Sequence, residues 1–187
     1  MITFSTVTAI DDTEFDRIYA DSLAGVENGW PWHWWPDHTT PEQKKAFIRS
    51  QYDLFIDSDL AGSFVFSVCE DDRLLGLYAA TLNDGVMEVS LSLFGLDITA
   101  SKAWAYGNEQ SVQARNTYWE SLGISGWVFS IPDLQSDLRA FISTASGTLM
   151  GTVNSTQAET HDTPQAVIDE RGTPDSFGIV NYALVAA

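Results

Sequence analysis

Val68-Cys69-Glu70-Asp71-Asp72-Arg73-Leu74-Leu75-Gly76 decides the fold. A run rich in β-branched and aromatic residues, Ser63 to Cys69, enters it, and a second apolar run, Leu74 to Thr81, leaves it. Four polar residues between two such runs can close only a hairpin. Asn83-Asp84-Gly85 marks the next tight turn, because Asp and Gly tolerate the positive φ that hairpin turns require. Val86 to Leu93 then alternates apolar and polar residues, which predicts a third strand. Regular alternation there puts Met87, Val89 and Leu91 toward a core and Glu88 toward solvent. The other reading aims the Glu88 carboxylate into a cleft.

Working outward, Ile2 to Val7 reads as a strand. Asp11-Asp12-Thr13-Glu14 opens a helix through Phe15, Ile18, Tyr19 and Leu23, with Gly25 as its stop. Two prolines break the Trp30-Pro31-Trp32-His33-Trp34-Trp35-Pro36-Asp37-His38 segment, and Thr40-Pro41 starts a second helix, Thr40 as N-cap. Downstream, Gly95 to Gly107 shows no clear period. A helix follows from Asn108, with Val112, Tyr118, Trp119 and Leu122 on its apolar side and Gly123 at its end. Trp127 to Ile131 is a short strand, Leu134 to Ile142 another helix, and Leu149 to Val153 and Ile179 to Val185 the last strands. Asn154 to Ser176 is expected to be a polar connection with a helical turn at Pro164 to Glu170. The order is β-α-α-β-β-β-α-β-α-β-β, without repeats or linkers, and so a single domain over residues 1–187.

Composition narrows the function. The chain carries 26 Asp+Glu against nine Lys+Arg, a formal charge of -17, so it lacks the cations that phosphate backbones or anionic membranes demand. Cys69 is the single cysteine, which forbids an internal disulfide, and its apolar surroundings suit a small buried hydrophobe. No apolar stretch is long enough to span a bilayer, and the start of the chain has no signal-peptide pattern. The expected location is the cytoplasm, or a virion assembled there. His33, Asp37 and His38 lack metal-site spacing and a third strong ligand, so no metal is expected.

The element order is similar to the GNAT N-acetyltransferase fold over nearly the whole chain. Val68 to Gly76 resembles the second hairpin of that family. Tyr118-Trp119-Glu120-Ser121-Leu122-Gly123-Ile124 resembles its third helix entering the fifth strand, and Arg139-Ala140-Phe141-Ile142 with Gly147 its fourth helix. The resemblance implies an α/β architecture with a mixed sheet of about seven strands flanked by about four helices. It implies acetyl-CoA in the gap where strands four and five part, its pyrophosphate held by backbone N–H groups at the start of helix three. It also implies an amine acceptor that loses its proton to a carboxylate, and a tyrosine that protonates the leaving thiolate.

On that resemblance Glu88 is the candidate base, and Lys102, Gly107 and Asn108 lie where the cofactor is expected. The sequence departs from the family in two places. Asp97 to Glu109 lacks the glycine spacing of the phosphate loop, and Glu109 would repel a pyrophosphate. Ser143 stands where the family's tyrosine is expected, leaving Tyr106 or Tyr118 as substitutes. Trp30, Trp32, Trp34 and Trp35 fit either an aromatic wall for the acceptor or a surface that docks a protein. His161, Asp162, Asp169 and Glu170 read as a solvated acidic loop or as a flap attracting cations.

Two functions follow. One is transfer of an acetyl group from acetyl-CoA to a cationic amine. The other is a non-catalytic GNAT-like subunit that binds a protein partner, in a homo-oligomer or a larger assembly. Small GNAT-like proteins of tailed bacteriophages, some of them virion components, are similar in kind.

Overall fold

The structure is a computed structural model that describes residues 1–25, 40–57, 61–94, 109–132, 153–162 and 176–185. Along the chain come β1 (Ile2–Val7), α1 (Asp12–Gly25), α2 (Pro41–Asp57), β2 (Ser63–Glu70), β3 (Arg73–Asn83) and β4 (Val86–Phe94). They are followed by α3 (Glu109–Ser121), β5 (Gly126–Pro132), β6 (Val153–Asp162) and β7 (Ser176–Val185). The strands form one seven-stranded sheet in the order β1-β2-β3-β4-β5-β7-β6. Every neighbouring pair is antiparallel except β4–β5. The expected fourth helix, at Leu134 to Ile142, lies outside the described residues.

Local chemistry sets the boundaries. Asp71 and Asp72 (φ 47° and 68°) close the β2–β3 hairpin, and Asp84 and Gly85 (φ 48° and 80°) close β3–β4. Two successive positive φ values match the right-handed strand twist, and Asp and Gly accept them at low cost. Asp11 Oδ1 takes the Glu14 N–H at 2.9 Å and caps α1. Thr40 and Gln43 bond reciprocally, side chain to backbone, at 3.1 and 3.2 Å, a capping box ahead of Pro41. At the end of α3 the Ile124 N–H reaches the Trp119 carbonyl at 2.9 Å around Gly123 (φ 74°), a left-handed stop.

The helices cover opposite faces. On one face, Phe15, Ile18 and Tyr19 of α1 and Ile48 and Tyr52 of α2 pack onto Val65, Leu74, Leu77, Ala79 and Leu93. Arg17 ties α1 to β3 through the Leu74 carbonyl at 2.9 Å, while also pairing with Glu14 and Asp21. Arg49 joins α2 to the entry of α1, donating to the Ile10 carbonyl at 3.0 Å and lying over the Phe15 ring. On the other face, Tyr118 of α3 stacks on Phe4 and meets Phe66, which stacks on Tyr78 at 4.9 Å. Trp119 packs against Trp127 of β5 at 4.6 Å, with the buried Arg115 guanidinium 4.6 Å above it. Half-buried Cys69 packs at the edge of the first core, and desolvation pushes its thiol up from the ordinary range. Its apolar run suggested a small buried hydrophobe, and the raised thiol fits that reading, although the side chain is only half-buried.

One expected element is wrong. Asn154 to Asp162, taken from composition as a polar connection, is most of β6, and of the Leu149 to Val153 strand only Val153 is described as strand. β7 also starts earlier than expected, at Ser176. Among the described residues, β6 is the last strand of the sheet and pairs only with β7. A strand held by backbone hydrogen bonds along one edge does not need alternating apolar residues, and polar side chains discourage further pairing.

Candidate functional site

The site begins at an irregularity in β4. Ala79 of β3 pairs with Leu91, but the next residue, Ala80, pairs with Val89, so Ser90 is an extra residue. A β-bulge of this kind bends the strand and leaves backbone groups out of the ladder. It also changes which side chains share a face. Leu91 and Leu93 lie opposite Ala79 and Leu77, beneath α1 and α2. Val89 and Met87 lie opposite Ala80 and Leu82, on the α3 face, where Met87 is fully buried. The expectation that Met87, Val89 and Leu91 share one face is therefore overturned. Glu88 is exposed, as regular alternation proposed, but it stands opposite Thr81 on the α1–α2 face.

The bulge lies beside a second departure. β4 and β5 run parallel only from Val86↔Gly126 to Val89↔Phe129. Beyond that point β4 continues to Phe94 against β3, and β5 continues to Pro132 against β7. The strands part into a fork whose root is Val89 and Phe129. At its closed end, Ser125 N–H donates to the Gly85 carbonyl at 2.7 Å, pinning the start of β5 beside the β3–β4 turn. Gly85 itself has φ 80°, and a Cβ there would meet Ser125 Oγ at 3.0 Å. Among the described residues, no strand pairs with the β5-facing edge of β4 beyond Val89. Backbone donors and acceptors along such an edge need a partner.

Glu88 sits at the root of this fork, on its α1–α2 side. Its carboxylate makes no hydrogen bond or ion pair among the described residues. Its cross-strand neighbours are Thr81 and Val128. Of the other residues singled out in the sequence, Lys102, Tyr106, Gly107, Asn108, Trp30, Trp32, Trp34 and Trp35 lie outside the described residues, as do Ser143, Asp169 and Glu170. His161 and Asp162 end β6 opposite Phe177 and Ser176. Tyr118 is displaced from any role at the fork. Its hydroxyl is 2.8 Å from Thr6 Oγ1 on β1, three strands from β4 and so about 14 Å away. Burial pushes that phenol up, and the bond to Thr6 opposes the push. The bulge at Ser90 is not foreseen from the sequence. From Met87 to Leu93 apolar and polar residues alternate without a break, so nothing there announces the bulge.

A mixed sheet with a parallel fork at β4–β5, a bulge beside the fork and helices on both faces defines the class of fold. The chain has the GNAT fold. Solved structures similar to it include the ribosomal-protein-S18-alanine N-acetyltransferase of Escherichia coli, at a TM-score of 0.52 and 9% identity over 100% of this chain and 96% of that one. A probable GNAT-family acetyltransferase from Chromobacterium violaceum matches at 0.53 and 14%, over 98% and 87% of the two chains. A Bacillus subtilis acetyltransferase solved in complex with CoA matches at 0.51 and 10%, over all of both chains. These likenesses establish the fold. No family sequence model matches the chain, and no curated protein matches it by sequence.

Proposed function

We propose that the protein is an acetyl-CoA-dependent N-acetyltransferase acting on a cationic amine. The observation that carries this reading is the placement of Glu88: an exposed carboxylate at the root of the β4–β5 fork, unpaired among the described residues and turned to the side opposite α3 by the bulge at Ser90. The donor enters the fork and its amides bond along the open edge of β4 from Ser90 to Phe94. Lys102, Gly107 and Asn108, in the approach to α3, take the pyrophosphate. The acceptor nitrogen comes from the α1–α2 side, with the Trp30 to Trp35 segment between those helices as its outer wall. Glu88 removes a proton from the ammonium, directly or through one water. The freed lone pair attacks the thioester carbon, the C–N bond forms and the C–S bond breaks. Tyr106 gives the departing thiolate its proton and is reprotonated by the nitrogen, which sheds its surplus proton as the amide forms.

Electrostatics favour a cation. The chain carries a formal charge of -17, and Arg17, Lys45 and Arg49 are already paired with carboxylates. The resulting negative field raises the local concentration of cationic amines. The Bacillus subtilis structure in complex with CoA supports the donor class by likeness of fold. The test is release of free thiol from acetyl-CoA in the presence of polyamines, aminoglycosides and lysine peptides. Amine-dependent release is expected. A rate independent of every amine, with no acetylated product by mass spectrometry, removes the transferase reading and leaves the fold as a binding scaffold.

A further inference from the structure

We propose that Thr81 is the second half of an ammonium seat, its hydroxyl accepting an N–H bond from the acceptor beside the Glu88 carboxylate. The inference rests on the transferase reading for its biological sense, but its geometry stands on the sheet alone. Thr81 and Glu88 are direct cross-strand partners. Partners of that kind hold their Cβ atoms about 5 Å apart on one face. A primary ammonium has three N–H donors and fits between a hydroxyl and a carboxylate at that spacing. Among the described residues, no hydrogen bond ties Thr81 or Glu88 to another residue.

The surroundings select the same ligand. Val128, across the parallel pair, and Val86, two residues back on β4 and 42% exposed, flank Glu88 on the same face. Asn83, two residues along β3 from Thr81, adds an exposed amide on that face. None of these neighbours is charged, so among the described residues no cation pairs with Glu88. The half-exposed valines suit the methylene next to an amine. A carboxylate flanked by apolar walls and one hydroxyl recognises a primary alkylammonium and rejects an anion. The Thr81 hydroxyl orients the nitrogen, which makes Thr81 a positioning residue in the transfer reaction.

The experiment uses the full chain, labelled with 13C at the glutamate carboxyl carbons, titrated with spermidine at about 0.3 M NaCl so that general charge attraction is screened. Glu88 is assigned through Glu88→Gln. Thr81→Val keeps the β-branched shape and removes the hydroxyl, while Thr81→Ser keeps the hydroxyl. The Glu88 signal is expected to move saturably in the native chain and in Thr81→Ser. In Thr81→Val the affinity is expected to fall about tenfold, as for a lost hydrogen bond to a charged group. Melting temperature and acetyl-CoA affinity should be the same in all three. Equal spermidine affinity in Thr81→Val and the native chain overturns the seat, as does an unresponsive Glu88 signal or a Thr81→Ser as weak as Thr81→Val. If acetyl-CoA fails to bind while the Thr81-dependent shift persists, the transferase reading falls and the ammonium seat stands.

Discussion

Glu88 and Leu91 stand three residues apart on β4 yet on the same face of the sheet, because Ser90 is bulged out between them. In a regular strand residues of opposite parity face opposite ways. Here Leu91 joins the core beneath α1 and α2 while Glu88, below that cover, reaches solvent. Substituting Glu88→Gln should therefore cost little stability, within about 0.5 kcal/mol as for exposed positions generally. Its effect on acetyl transfer should be about 100-fold or more, the range of a lost general base. Urea unfolding and steady-state kinetics check the two halves. A glutamine variant with native kcat removes Glu88 from the chemistry.

Most of the sheet was legible in the sequence. Hairpin turns with Asp-Asp and Asp-Gly, the capped starts of α1 and α2 and the glycine stop of α3 are local chemistry, and each lies where its residues put it. The bulge at Ser90 was not legible, since a pattern of alternating residues is the same with or without one extra residue in the pairing. Register belongs to two strands at once. β6 was illegible for a related reason: Asn154 to Asp162 holds its place through backbone bonds to β7, which leave no mark on side-chain polarity. Glu88 was visible as a candidate because of its position on the fourth strand. Its companion Thr81 was invisible because a threonine in a strand is ordinary until its partner is known.

Tyr118 offers a control. Its hydroxyl is bonded to Thr6 on the edge strand β1, far from the fork. Tyr118→Phe should lower stability by about 0.5–1 kcal/mol, the usual worth of one hydrogen bond, and leave kcat unchanged. A large loss of kcat in this variant would put a catalytic group on the wrong side of the sheet and contradict the placement of the site.

Tyr52 predicts an alkaline transition. Its ring is fully buried, its hydroxyl donates to the Leu77 carbonyl at 2.9 Å, and desolvation holds the phenol well above its ordinary range, with Tyr78 adding to the effect. Above about pH 10 the unfolded chain loses this proton while the folded chain keeps it. The stability Tyr52 contributes is complete below that pH and is lost as pH rises toward the folded value. Urea midpoints at about pH 8, 10 and 11 should fall in the native chain. Tyr52→Phe should start lower and fall less steeply. Parallel curves for the two chains would show that Tyr52 does not titrate differently in the folded state.

Charge predicts a salt response. With 26 Asp+Glu against nine Lys+Arg, self-repulsion opposes the folded state. Raising NaCl from about 20 mM to about 0.5 M shortens the screening length severalfold and should raise the melting temperature. A flat or falling melting temperature would mean that paired arginines such as Arg17 and Arg49, whose bonds salt weakens, outweigh the repulsion.

Calorimetric titration of the full chain with acetyl-CoA at moderate salt tests the β4–β5 fork as a thioester site most directly. Saturable one-to-one binding at micromolar concentration is the predicted result. Absence of binding at millimolar acetyl-CoA would contradict it.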